Sequence, residues 1–580
     1  MWDVEASPAR KGEPFNTKWL GAGIFTGAAS GPYIEADEDR FFETLLGDDL
    51  AGHWIYAHNA SGYDFHFLIR FLVRRGIPWR AFRTGQRIFL SACDREFYDS
   101  QAILHGSLAN IGETLGVSTR KQVVEPDFYE KIKAHWKTGR AQAYLRDDLI
   151  SLFECIETTR EACRTIGVNL RATVASTAMA HFRLNHLDCA FPVPAPWSTI
   201  EQHARQAYVG GRVEVFKREA GAGCSWDLNS SYPAAMVDPR GVPCEYLGSA
   251  RAGIPDAGIV FAQVDVDQEP HPPLPVVGED ERLYFPTGRR RSWITADEAR
   301  FCVERYGAKS VQVIESHAFK PRRLFDSYIA ELYPMKGKPG AIGYTAKLLM
   351  NSLYGKFGSR REREAIVCGD EWHDWPHDSP KDLARFAARG EAPGKRDIDP
   401  ENWIYGLPTV DNFSAFVLPA LAATITARGR IALQGGLDAA GDAACYCDTD
   451  SVYAELAPGT FPESAELGGW KRELEFESAI FAAPKTYAVT LPGGDVKAKA
   501  KGLRRTDAAQ VLAFMRGESI PIKRVLGVFE ANQRNKAFGP ASEIQHRQAK
   551  TWSHRRHPDG RAFSIAELDA LGLYVKNAIP

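Results

Sequence analysis

At 580 residues the chain exceeds the size at which one hydrophobic core stops growing, so three or more folding units are expected. Its hydrophobic (44%) and charged (25%) fractions are ordinary for a globular protein and exclude a disordered or fibrous chain. A formal net charge of −2 removes any global charge argument for a nucleic-acid partner, and ten scattered cysteines without a CxxC knuckle indicate neither a disulfide framework nor a zinc knuckle.

In chain order, the first 165 residues or so alternate strand-like and helix-like runs: WDVEAS, HWIYAHN, FHFLIRFLVRR, then the amphipathic QAYLRDDLISLFECIETTREACR. That alternation predicts an α/β layer domain. YVGGRVEVF (208–216) follows, then CSWDLNSSYPAAM (224–236), a strand entering a turn closed by Pro233. Residues 239–333 form a mixed insertion with a helix at DEARFCVERYG. A helix beginning near Ala341 carries AKLLMNSLYGKFG, and a polar, Trp-dotted segment runs from Ser359 to Pro408. FSAFVLPALAATITARGRIALQGG predicts a long buried helix leading into the hairpin ACYCDTDSVYAE (444–455), and the last 60 residues form a basic appendage. Five basic runs interleaved with aromatics (74–87, 287–293, 320–323, 499–505 and 546–557) predict cationic grooves on an otherwise acidic body. No apolar run reaches membrane-spanning length and no basic-then-apolar leader opens the chain, so a soluble, cytoplasmic protein without a membrane partner is expected.

The hairpin carries the chemistry. Asp448, Thr449 and Asp450 occupy the turn between two apolar strands, where the carboxylates either cap their own turn or neutralise a cation. Asp227 ends the CSW strand and supplies a third carboxylate. Three such groups can hold two Mg²⁺ ions about 3.5 to 4 Å apart for in-line phosphoryl transfer. On the helix between them Lys347, Asn351 and Tyr354 or Gly355 share one face, a cation, an amide and a ring suited to a nucleoside triphosphate or simply an amphipathic surface.

DLNSSYP (227–233), KLLMNSLYG (347–355), YCDTDS (446–451) and KTY (485–487) resemble, in order, motifs A, B, C and KxY of family B DNA polymerases. The resemblance implies palm, fingers and thumb beside a ribonuclease-H-like exonuclease domain, in a multidomain α/β and α+β chain with two insertions. It implies catalytic metal ligands at Asp227, Asp448 and Asp450, a ribose-excluding Tyr232, nucleotide contacts from Lys336, Lys347, Asn351 and Tyr354, and a primer terminus steadied by Lys485 and Tyr487. WDVEAS, HNASGYD and YLRDD are similar to the Exo I, II and III motifs, which implies metal ligands at Asp3, Glu5, Asp64 and Asp148, with Tyr144 orienting a water. Tyr56, His58, Asn59 and Tyr63 would then grip the single-stranded primer end. Two Mg²⁺ per site, replaceable by Mn²⁺, are the implied cofactors.

Total length, the YVGG string (Tyr208, Gly210, Gly211) and the insertions resemble the protein-primed branch of phages and linear plasmids. The resemblance implies primer-template and single-stranded DNA, deoxynucleotides and a terminal protein as partners, and a monomer. It divides the chain into exonuclease (1–168), palm with motif A (169–238), a first insertion contacting terminal protein and duplex (239–333), fingers (334–358), a second insertion for processivity and strand displacement (359–408), palm with motif C and KxY (409–518) and thumb (519–580). The alternatives are the same architecture using nucleic-acid primers or none, and a catalytically silent DNA-binding scaffold. Ser231 replaces the family's Leu and is expected to loosen packing beneath the nucleotide. Ala6 replaces a Thr hydroxyl at the primer end, the first strand is expected to be very short, and Lys121, Lys131, Lys133 and Lys137 are all open as helpers of the exonuclease.

Overall fold

Alternation buries Trp2 and Val4 on one face of the strand Trp2–Ala6. It pairs antiparallel with Trp19–Ile24, which pairs with Tyr33–Glu35. Trp54–Ala57 runs parallel to Arg95–Asp99 in a larger sheet that continues through Arg87–Ala92 to Trp79–Thr84. The helix Asp64–Arg75 packs Phe65, Leu68 and Leu72 into a core shared with Trp2, Phe41 and Phe97, while the 26-residue helix Arg140–Thr165 lies against the first two strands. The computed structural model describes residues 1–6, 19–85, 87–122, 124–125, 128–129, 131–189, 198–360, 362–368, 396–399, 404–410, 416–500, 507–516, 518–526, 541–548, 555–557 and 559–573. DEWHDWPHD (370–378) and parts of the last two basic runs lie outside them.

The larger sheet does not stop at Trp79–Thr84. Glu362–Cys368 pairs antiparallel with that strand, placing Ala365 opposite Phe82, and leads to Ile404–Val410 and Arg396–Asp399. The described strands of the second insertion are therefore stitched onto the amino-terminal body. Ile366, 4% exposed, supplies the physical reason by burying in the same core as Phe65 and Ile88.

A five-stranded antiparallel sheet forms the centre, in the order Trp470–Phe476, Gly223–Leu228, Ser451–Ala454, Ala444–Asp448, Val213–Val215. Its period-two alternation sends Cys447 and Val452 towards Leu433 and Leu437 of the helix Pro419–Ala440, and Tyr446 and Tyr453 towards Phe481 and Tyr487 on the other face. That helix begins at Pro419, a residue suited to a first turn, later than the Phe413 of the predicted run. Pro233, read as closing a turn, lies inside the short helix Ser231–Met236.

Residues 242–322 form a four-stranded sheet, Val242–Ala250, Val311–Arg322, Gly258–Val266 and Gly288–Thr295, covered by the helix Ala296–Tyr306. The helix Ala341–Phe357 buries Leu349, Leu353 and Phe357 against Arg140–Thr165 and Val174–Asn185 and leaves Lys347 and Asn351 exposed. Near the carboxyl end Ser519–Leu526 pairs with Ala541–Gln548, and a helix spans Ile565–Ala570. Among the described side chains nine cysteines are free, and among the described residues no helix is long and apolar enough to cross a membrane.

Candidate active sites

Antiparallel register sets Asp227 opposite Ser451, so the end of the Gly223–Leu228 strand meets the hairpin tip. Asp448 is the last residue of its strand rather than a turn residue, and the reversal is made by Thr449, whose φ of 64° is left-handed. The Asp450 N–H closes the turn onto the Asp448 carbonyl at 2.7 Å, and the Leu228 N–H donates to the Asp450 carbonyl at 2.8 Å. Asp227, Asp448 and Asp450 thus line one cleft of about 360 Å³ together with Lys485, Tyr487 and Lys499. Burial, then the neighbouring Asp450 charge, holds the Asp227 carboxyl up to about 7. Burial and Asp448 hold Asp450 up to about 6. Three crowded carboxylates, with Asp227 and Asp450 of raised basicity, are a donor set for a hard divalent cation.

Cations rim the cleft. Lys485 Nζ lies 3.2 Å from Asp448 Oδ1, and its backbone, at a left-handed φ of 61°, donates to the Tyr446 hydroxyl. Lys336 Nζ reaches Ser230 Oγ at 2.6 Å and Asn229 Oδ1 at 3.2 Å, and burial, then Lys347, lowers its pKa. Tyr232 packs its ring 4.6 Å from that of Tyr354 and over Gly429, where an added Cβ would come within 3.3 Å. Tyr487 is only 6% exposed, so its ring backs the cleft wall beside Tyr446 and Phe481.

Behind the hairpin lies a network that sequence reading missed. The Arg212 carbonyl accepts the Thr449 N–H at 2.7 Å, and Gly211 allows that approach, because a Cβ there would stand 2.8 Å from the Thr449 methyl. Arg430 donates to the carbonyls of Val209 and Gly210 and pairs with buried Glu298 at 2.7 Å. Glu298 also caps its own helix through the Thr295 N–H. Burial alone would raise the Glu214 carboxyl, yet Arg556 and Arg212 pull it down to about 2. The Arg430–Glu298 and Arg556–Glu214 pairs span 132 and 342 positions and leave no local pattern; an arginine inside an apolar helical run was the one available signal.

A second cluster of carboxylates sits in the amino-terminal body. Asp3 and Glu5 project from one strand, and Asp64 opens the Asp64–Arg75 helix and accepts the Val4 N–H at 3.0 Å. Asp148 and Tyr144 come from the long helix. Burial, then Asp148, raises Asp3 to about 7, and burial also raises Glu5 and Asp64 well above the usual carboxylate range, with Asp3 adding to each. Asp148 Oδ1 is buried and has no hydrogen-bond partner among the described residues, an orphan lone pair consistent with a cation ligand. Of the four lysines left open, Lys121 is the one whose ammonium pairs with Asp148. Tyr129, not singled out, shares a 2.9 Å hydrogen bond with the Tyr144 hydroxyl.

The proposed strand-gripping residues divide. Asn59 is exposed at a left-handed φ of 65°, held by the Asp99 carboxylate, which accepts the Asn59 and Ser61 N–H groups at 3.0 and 3.1 Å. His58 is half-buried with Nδ1 2.9 Å from Ser100 Oγ, and Tyr63 is half-buried against Phe67. Tyr56 is a correction: it is fully buried beside Tyr98, because strand alternation turns it into the core, and it presents no face to a base. Tyr208 leans on Gly358, where a Cβ would meet its ring at 2.3 Å, joining YVGG to the end of the Ala341–Phe357 helix. Ser231 is buried within reach of Gly429.

Against known proteins, the model of DNA polymerase type B, organellar and viral, matches residues 128–374. A probable DNA polymerase of Ascobolus immersus is 25% identical over 512 residues, covering 77% of this chain and 41% of that protein. The DNA-directed DNA polymerase of Enterobacteria phage PRD1 is 25% identical over 460 residues, covering 78% and 76%. The chain spans about half the length of the fungal relatives it matches. Phi29 DNA polymerase complexed with primer-template DNA and incoming nucleotide substrates superimposes with a TM-score of 0.71 at 19% identity, over 95% of this chain and 99% of that one, and so shares its multidomain fold. With the ordered motifs placed as described, residues 128–374 match the type B DNA polymerases, organellar and viral, and most of the chain is similar to phage and fungal DNA polymerases.

Proposed function

We propose that the chain is a template-directed DNA polymerase with a separate 3′→5′ proofreading exonuclease, working in protein-primed replication of a phage or linear mobile element. The observation that carries this reading is the meeting of Asp227, Asp448 and Asp450 in one cleft rimmed by Lys336, Lys347 and Lys485. Asp227 and Asp450, with Asp448 beside them, would hold Mg²⁺, and Mg²⁺ so bound would acidify the primer 3′-hydroxyl and offset charge on the departing pyrophosphate. Lys347 and Lys336 bind the triphosphate, and Asn351 on the same exposed face donates to it. Tyr232, wedged between Tyr354 and Gly429, stands where it excludes a ribose 2′-hydroxyl. Lys485 and Tyr487 steady the primer terminus.

In the second cluster Asp3, Glu5, Asp64 and Asp148 would hold Mg²⁺, Lys121 and Tyr144 orient the attacking water, and Asn59, His58 and Tyr63 hold the primer end. Protein priming is supported by the insertion at 242–322, which Glu298 and Arg430 tie to the Val209–Gly210 backbone behind the hairpin, and by the likeness to the DNA polymerases of phages PRD1 and phi29. The test is Mg²⁺-dependent incorporation on a single-stranded template with and without annealed primer. Extension abolished by Asp450→Ala is expected, as is loss of primer degradation in Asp64→Ala with synthesis kept. Equal loss of both activities in either variant would overturn the two-site reading. Synthesis without any primer would overturn protein priming.

A further inference from the structure

Between the two carboxylate clusters and apart from both, the helix Val174–Asn185 ends beside the helix Asp326–Lys336. His181 on the first, His186 just past its end and Glu331 on the second converge there. The two Nε2 atoms stand 3.4 Å apart, and the Glu331 carboxylate oxygens lie 3.6 Å from His181 Nε2 and 3.0 Å from His186 Nε2. The rings meet at 79°, so their edges rather than their faces approach. We propose that His181, His186 and Glu331 form a binding site for a single zinc-class transition-metal ion.

The spacing is the first argument. Ligands about 2.0–2.1 Å from a tetrahedral ion lie roughly 3.3–3.4 Å from one another, and the three separations here bracket that span. The donor set is the second: two imidazoles and one carboxylate select a borderline ion such as Zn²⁺ over Mg²⁺ or Ca²⁺, and the half-exposed Glu331 leaves room for a water as fourth ligand.

Outer contacts are the third. His186 Nδ1 has Ser327 Oγ at 3.0 Å to receive its proton, and His181 Nδ1 lies 2.8 Å from Asn185 Nδ2, which also donates to the Gly167 carbonyl at 3.2 Å and so fixes the ring's orientation. Tyr328, fully buried, packs against both rings at 5.5 and 5.3 Å and holds them in place. The other cluster of this composition behaves differently. His203 Nδ1 and His317 Nε2 are 2.8 Å apart, a direct hydrogen bond, with the rings 13° from parallel, and that bond would have to be given up to hold an ion.

The site would clip the end of one helix to the helix whose last residue, Lys336, reaches Ser230. Tag-free full-length protein, stripped with EDTA and held in excess Mg²⁺ to fill the all-oxygen sites, should take up one equivalent of Co²⁺. It should show the strong visible absorption of tetrahedral coordination, and one equivalent of Zn²⁺ should erase it. X-ray absorption of the Zn²⁺ form should show two imidazoles, which neither carboxylate cluster can supply. Glu331→Gln and His186→Asn should each weaken Co²⁺ binding at least tenfold. Absence of the band in folded wild-type protein, an imidazole-free spectrum, or wild-type affinity in both variants would overturn the site. Should a variant fail to fold, His203→Asn separates the two histidine clusters: it should leave the imidazole count and Co²⁺ affinity unchanged, and loss of binding there would overturn the site.

Discussion

Asp3 shows what burial among other carboxylates does to a single residue. A carboxyl held up to about 7 binds more protons folded than unfolded between about pH 4 and 7. It therefore costs stability as pH rises through that window, and the full cost stands at pH 8. In divalent-free buffer Asp3→Asn should stabilise the fold at pH 8 by on the order of 1 kcal/mol, shrinking as pH falls towards 4. Urea unfolding of both proteins at several pH values measures it, and added Mg²⁺ should reverse the sign at pH 8. Tyr232 makes a different prediction at the same scale. With its ring fixed between Tyr354 and Gly429, Tyr232→Ala should raise ribonucleotide incorporation at least tenfold, read as the ratio of kcat/KM for ribo- and deoxynucleotides. An unchanged ratio would move the sugar gate elsewhere.

At the scale of elements, the catalytic hairpin depends on what lies behind it. Gly211→Ala would set a Cβ 2.8 Å from the Thr449 methyl and displace the turn that carries both aspartates. Primer extension should fall at least tenfold while primer degradation, in the other body, stays as it was. Much of this site was legible in the sequence, because its parts are local: a DTD crease between apolar runs, an Asp at a strand end, a lysine and an asparagine one helical turn apart. The second carboxylate cluster was legible for the same reason. The ties that link Arg212, Arg430 and Glu298 to the hairpin and its backing were not, since they join residues more than 130 positions apart and use backbone carbonyls that any residue has. Tyr56 was misread because an aromatic beside an acidic motif looks available to a base until strand alternation turns it inward.

For the whole molecule, the pairing of Trp79–Thr84 with Glu362–Cys368 makes one sheet out of two regions that the sequence divides. Ile366→Ala should loosen that joint, costing roughly 2–5 kcal/mol where Ile366 enters the amino-terminal core. Synthesis on an open single-stranded template should survive, and synthesis through a downstream duplex should fall; an equal effect on both templates would show that the joint does not act on strand separation. The same pairing also sets a timetable for biosynthesis. Ala81 leaves the ribosome 285 residues ahead of its partner Ile366, a lag of about 15–60 s at ordinary elongation rates. Through that interval the nascent amino-terminal sheet carries an unpaired edge, and Arg80 and Arg83 on that strand are the charges that discourage a neighbouring nascent chain from pairing there first.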